Sequence, residues 1–479
     1  MALSSEGLGL VWERMRAYVA GQLAAYNYNV SVATTSMAGI VRPDGETITV
    51  DDDGTIRGHG ETDVRVGIVG DVAHDSAALI IGDESDGAYA FPGLSYVFGE
   101  QFFACQSLAA VDMPSCTTVG SSAFRECRAL SSVNLPACTT VADSAFYGCG
   151  SLEHVSLPAC TKVMAYAFYE CFGIKEMSMP RCVRIASRAF YNCRSLSAAV
   201  LPSCETIGSY AFGWCSSLSE ASLPACTTVG YGAFYCCYSL ASIELPACTT
   251  VGSYAFNGCS NMRNVNLPSC GFIGINAFAY CSALTYASIP ACVTIGAYAF
   301  YGCSSLASIN LPVCDRVLES AFCNCSSLSM VSLPSCLRIE WGAFMGCSNL
   351  SEISLPRCTY VAYSAFQSCT SLATANLPAC GAVYGRAFYD CYSIATVSIP
   401  KCSYVGSYAF YSCRHLVSLY LTEVSSVPTL CENAFSFTPI GGSIASVGRY
   451  GSVYVPASLV DAFVADSMWS SVASRIVGV

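Results

Sequence analysis

The chain has 479 residues, of which 53% are hydrophobic and 11% charged, and a formal net charge of −11. That is ample apolar material for a core, yet no run of about eighteen apolar residues occurs, so no membrane span is expected. No basic stripe interrupts the acidic balance, which excludes a nucleic-acid groove, since that requires clustered Lys and Arg to displace counterions.

Residues 1–26 read as one helix. Leu8, Val11, Met15, Tyr18, Gln22 and Tyr26 recur at three- and four-residue steps, with Ser4 or Ser5 as N-cap. A short coiled coil and a helix packed on its own domain both fit this pattern. Glu6, Glu13, Arg14 and Arg16 stand where a secretory signal keeps a clean apolar core. Synthesis in a reducing cytosol is therefore expected, and most of the 32 cysteines should be free thiols. Residues 27–87 read as a small β-rich docking or linker module and N-cap. In it, two Asp-Gly turns flank the alternating Thr47-Ile48-Thr49-Val50, a hairpin or short-strand signal.

From residue 88 to residue 421 the sequence repeats. Proline recurs at every 22nd position from Pro92 through Pro114 and Pro136 to Pro400, and phenylalanine keeps the same step from Phe102 to Phe410. Twenty-nine cysteines fall on two positions of the unit, one series from Cys116 to Cys402 and the other from Cys105 to Cys413. Only Cys236, Cys323 and Cys431 lie off these series. Leu130, Val133, Leu135 and Cys138 spell L-x-x-L-x-L-x-x-C, the pattern of a short strand followed by a closing turn. Period-two alternation puts Val133 and Leu135 inward, Ser132 and Asn134 outward. A short helical or 3-10 return is expected next, with Ala123, Phe124 and Cys127 facing the core in the first full unit. The fold class is therefore an α/β solenoid of leucine-rich-repeat type with a 22-residue period and about fifteen coils. Residues 422–479 read as a C-terminal cap: the Gly/Ser-rich PIGGSIASVGRYGS, a strand at Val453–Val455, and a terminal amphipathic helix from about Ala457 to Val477.

The A-F-x-x-C-x-x-L string followed by an apolar-Pro step resembles the BspA-like leucine-rich repeats of bacterial surface proteins, over residues 88–421. The family's turn after the proline is one residue longer, and Cys here replaces its small-polar and Val pair. The resemblance implies the solenoid and a non-enzymatic adhesive or interaction role at a bacterial cell surface. A second resemblance is shorter. The opening helix with the R-P-D-G-x-T-I-T-V-D-x-D-G-T segment from Arg42 to Thr55 is similar to the start of bacteriophage tail-associated structural proteins. It implies a virion location, docking of residues 1–87 to other tail proteins, homo-oligomerisation and a receptor-binding or host-adhesion role. That virion reading is the first expectation and the bacterial surface adhesin the alternative.

No cofactor, metal or catalytic site is expected. His59, His74, His154 and His415 have no companion nucleophile or acid spelled out. Asp51-Asp52-Asp53-Gly54 lacks the spaced ligands of a helical calcium loop and reads as a turn. The cysteine series lack C-x₂-C pairs and read as buried structural thiols. On the strand face the outward positions are small and polar, among them Ser308, Asn310 and Ser332, with His154, Tyr286 and Tyr420 as exceptions. The return face is richer. Tyr147, Tyr169, Tyr191, Tyr235 and Tyr301 follow the repeat phenylalanine, and Tyr166, Tyr210, Tyr254 and Tyr298 precede it by two. These nine rings are either covers for neighbouring coils or candidate ligand contacts, the ligand being a host cell-surface glycan or protein.

Overall fold

The computed structural model describes residues 95–106, 108–442 and 450–479, together with six short strands between residues 40 and 90. The N-terminal helix expected over residues 1–26, the Asp51–Asp53 turn, His59 and His74 lie outside the described residues. The fold is a parallel-strand solenoid of about 17 turns with a 22-residue period and few helices. Its contacts divide it into two units, residues 1–201 and 202–479.

In the first unit, Thr47–Val50 is a strand paired antiparallel with Ile56–Gly58, as the flanking Asp-Gly turns suggest. Antiparallel pairing continues through Arg65–Val69 and Ala78–Asp83 to Ala88–Ala90. There the pairing changes sense, because Ala88–Ala90 opens the repeat series and lies parallel to Ala110–Asp112, one period on. Each repeat then contributes two strands. Ser132–Asn134 pairs in register with Ala110–Asp112 and His154–Ser156, burying Val133 and exposing Asn134. The second strand, Thr140–Val141, was not foreseen; it pairs with Thr118–Val119 and Lys162–Val163.

The return segment is a chain of turns, not a helix. Two residues of each return take left-handed backbone: Ser122 (φ 56°) and Glu126 (φ 60°) in one coil, Tyr166 (φ 57°) and Glu170 (φ 58°) two coils on. They alternate the direction of the N–H groups. Ser122, Phe124 and Glu126 donate to the carbonyls of Asp143, Ala145 and Tyr147 in the next coil, at 2.9, 2.7 and 2.7 Å. Ala123, Arg125 and Cys127 close turns within their own coil. A non-glycine residue in this conformation costs roughly 1–2 kcal/mol, and the inter-coil ladder offsets that cost.

Phenylalanine fills the core of every coil. Phe102, Phe124, Phe146, Phe168 and Phe190 are stacked at 4.9–5.1 Å between ring centroids and are inaccessible to solvent. The small alanine before each ring lets the return segment lie close against the strands. Both cysteine series serve as small apolar fillers that also donate: Cys127 Sγ reaches the Phe102 carbonyl at 2.8 Å, and Cys138 Sγ the Thr140 carbonyl at 3.3 Å. All 32 cysteines are free; 30 are buried, leaving Cys105 and Cys431 part-exposed.

The second unit repeats this design, with rings 5.1–5.6 Å apart from Phe212 to Phe435. At its C-terminal end the strand expected at Val453–Val455 is present, whereas the long terminal helix is not. Ser452–Val455 joins the strand ladder beside Ser418–Tyr420, and Ile476–Gly478 pairs with it in turn. Coils therefore continue into the segment expected to be a plain cap, which is why fifteen was an undercount. The terminal helix is reduced to Val460–Ala465 between 3-10 turns at Ala457–Leu459 and Ser470–Arg475. Asp466 ends it, its carboxylate accepting from the backbone N–H of Met468 at 2.8 Å. That stop places Trp469, fully buried, against Phe435 and Phe463 with its indole N–H on the Pro428 carbonyl at 2.8 Å. Trp469 thus closes the phenylalanine column.

Candidate functional site

The candidate tyrosines fall into two groups, one in each unit. In the first unit the position after the repeat phenylalanine recurs coil by coil, so the strand spacing stacks its side chains. Tyr147 lies 4.8 Å from Tyr169, and Tyr169 lies 5.2 Å from Tyr191, with interplanar angles of 7° and 8°. Tyr166 leans on Tyr169 at 5.6 Å. Arg125 sits over the Tyr147 ring at 4.6 Å, and Arg188 donates to the Tyr166 hydroxyl at 2.8 Å. All four tyrosine residues are half-buried. Partial burial, followed by the nearby Glu170 carboxylate, raises the phenols of Tyr147 and Tyr169 above their usual value. These hydroxyls therefore remain protonated hydrogen-bond donors throughout the physiological range.

In the second unit the arrangement is looser. Tyr210 meets Tyr235 edge-on at 6.0 Å, and Tyr298 leans on Tyr301 at 5.9 Å. The Tyr298 hydroxyl donates to the Glu319 carboxylate at 2.5 Å. Tyr254 contacts Tyr231 at 5.3 Å, a residue outside the predicted set. Trp214 and Tyr238 were also missed; they meet edge to face at 5.9 Å and are both exposed. Their repeat positions carry aromatics only sporadically, Tyr280 at the first and Phe172 and Tyr392 at the second, so period alone gave no signal for them.

Tyr166, Tyr210, Tyr254 and Tyr298 all occupy the first left-handed position of the return, with φ between 54° and 59°. That backbone is imposed by the coil, since Ser122, Ser144, Arg188 and Asn276 adopt it at the same position. Their tyrosines are not required by the fold. His154 stands exposed on its strand, in register with Ser132, and His415 Nδ1 lies 2.6 Å from the Tyr392 carbonyl. Among the described residues, no group of three or more His, Cys, Asp or Glu is placed to hold a metal ion. No helix among them is long and apolar enough to cross a membrane.

A stack of coils with a three-residue parallel strand, an apolar ladder and a turn-rich return defines a leucine-rich-repeat protein. The chain belongs to the family of the BspA type leucine rich repeat region, whose model matches residues 96–218, 183–293, 271–382 and 338–444. Among solved structures, a leucine-rich repeat protein from Bacteroides ovatus is 23% identical, covering 75% of this chain and 94% of its own, with a TM-score of 0.55. A leucine rich cell surface protein from Faecalibacterium prausnitzii is 18% identical, covering 82% of this chain and 96% of its own, at a TM-score of 0.31. The likeness to the first establishes the fold alone. None of the curated proteins matches the chain.

Proposed function

We propose that the protein is a non-enzymatic adhesin or interaction module, displayed at a bacterial cell surface, that binds a macromolecular partner through its tyrosine flank. Membership of the BspA type family supports the surface reading. The observation that carries the contact site is the Tyr147–Tyr169–Tyr191 stack. Three aligned, half-exposed rings with neighbouring guanidinium groups offer a rigid amphipathic strip, and ordering it on binding has little entropic cost.

The experiment is adhesion of the labelled full chain to epithelial and to bacterial cells, with Tyr147, Tyr166, Tyr169 and Tyr191 changed together to serine. Loss of saturable epithelial binding with unchanged melting supports the proposal. Undiminished binding would remove the flank from the contact. The virion reading predicts binding to bacterial cells instead. It also predicts an oligomer in light scattering that becomes monomeric when residues 1–87 are removed. The family match begins at residue 96 and adds nothing to that reading, so the surface adhesin is preferred.

A further inference from the structure

The strand face of the second unit contains one irregular stretch. From Glu220–Ser222 to Met330–Ser332 the three-residue strands pair continuously, and the ladder resumes at Glu352–Ser354 without joining across that step. At this seam Val331, whose counterparts Ile309 and Ile353 are buried, is part-exposed. Beside it, Tyr286 and Met330 stand out from a small, polar face, 53% and 64% exposed. Register places Ser308 between them, since it pairs with Tyr286 on one side and Met330 on the other. Two strand spacings separate the two large side chains by about 10 Å, enough for one saturated ring with a face against each. The groove they bound has a volume of about 450 Å³ and extends over Asn310 and Ser332 to Glu352.

Two features select the occupant. The first is unspent hydrogen bonding. The side chains of Ser308, Asn310 and Ser332 have no partner among the described residues, whereas Asn134, at the position equivalent to Asn310, is engaged by Asp112 at 2.8 Å. Hydroxyl and amide groups that both donate and accept match sugar hydroxyls. The second is the lack of a strand edge. The strands at Tyr286 and Ser308 are paired on both sides. At the seam, Cα atoms of the two flanking strands still approach within 8 Å, closer than the roughly 10 Å that an inserted strand needs. An extended peptide would find no main-chain partner here.

We propose that this groove binds an uncharged pyranose unit of a glycan. Tyr286 stacks on a C–H face of the ring, Met330 closes the opposite face, and Ser308 and Asn310 hydrogen-bond its hydroxyls. Glu352 accepts from a hydroxyl at the rim and repels acidic sugars. The site is distinct from the tyrosine flank and does not depend on it.

The test is calorimetric titration of the full chain with maltotriose, cellotriose, chitotriose, trigalacturonate and N-acetyltryptophanamide. At least one neutral trisaccharide should saturate with a Kd on the order of 1 mM, and trigalacturonate should not bind. Tyr286→Ala should weaken binding about tenfold, the worth of one aromatic contact. Because Tyr286 is half-exposed the variant should melt normally, and Ser308→Leu, which fills the slot from its floor, provides a second block. Glu352→Gln, which removes the repelling carboxylate, should let trigalacturonate bind. Failure of every neutral trisaccharide to saturate would overturn the proposal. So would binding that survives both Tyr286→Ala and Ser308→Leu, or saturation by N-acetyltryptophanamide alone.

Discussion

Raising the pH should dismantle this protein well before its tyrosines ionise, and the buried thiols determine how steeply. Consider the three coils that contain Cys292, Cys303, Cys314, Cys325, Cys336 and Cys347, all inaccessible to solvent. Burial opposes thiolate formation at each of them: Cys292 is pushed up to about 12, Cys314 to about 11, and the other four are also raised. In the unfolded chain a thiol ionises near pH 8.5. Folded thiols with raised values retain their protons while unfolded ones lose them, so stability is complete below about pH 8.5 and falls as pH rises towards the folded values. Each thiol contributes about 1.4 kcal/mol per pH unit in that window, and six acting together about 8 kcal/mol. A loss of that size rivals the whole stability of an ordinary domain, roughly 5–15 kcal/mol. The assay is thermal melting by circular dichroism between pH 8.0 and about 9.0, under reductant, where unfolded tyrosine is still almost wholly protonated. The melting temperature should fall steeply across this window. Replacing Cys292, Cys314 and Cys336 by alanine should flatten the dependence relative to the variant's own value at neutral pH. A melting temperature independent of pH in the parent chain would refute the reasoning.

The same packing carries three further expectations. Alkylation of the native chain by iodoacetamide, read by mass spectrometry, should reach Cys105 and Cys431 and spare the 30 buried cysteines. Phe256→Ala, which interrupts rings stacked at 5.3 and 5.1 Å, should cost about 3–5 kcal/mol by urea denaturation. Gly274→Ala should destabilise by roughly 1–3 kcal/mol in the same assay, because its Cβ would fall 2.5 Å from the Ser253 backbone nitrogen of the preceding coil.

The strand half of each coil was legible because two independent signals agree there. Alternation fixes Val133 inward and Asn134 outward, and the 22-residue step repeats that choice in every coil. The return half was not, because its helical look is local and its conformation is collective. Ser-Tyr-Ala-Phe is compatible with a helix until the N–H of each phenylalanine is drawn to the next coil's alanine, as Phe256 is to Ala277 at 2.8 Å. Such a ladder exists only in the stack, so no window of one repeat can reveal the left-handed residues it requires. The terminal helix failed for the related reason that Trp469 has its partners, Pro428 and Phe435, far back in the chain.

The candidate sites divide along the same line. Stacking of Tyr147, Tyr169 and Tyr191 follows from period alone, since one repeat position in consecutive coils must superpose. The groove at Tyr286 has only half its cause in the sequence. Tyr286 was visible as an exception on a small, polar strand face, but its meaning depends on Met330 two coils away and on the ladder breaking one coil beyond. The seam accompanies continuous pairing of the second strands, where Arg316–Val317, Arg338–Ile339 and Tyr360–Val361 stay in register. One edge of the coil is therefore fixed while the other opens. A solenoid whose coils contact only their neighbours can tolerate such a local opening, because no distant packing is lost. The repeat that makes the fold easy to read thus also makes its functional departures single-residue events, such as Ser308 flanked by Tyr286 and Met330, which periodicity by its nature does not announce.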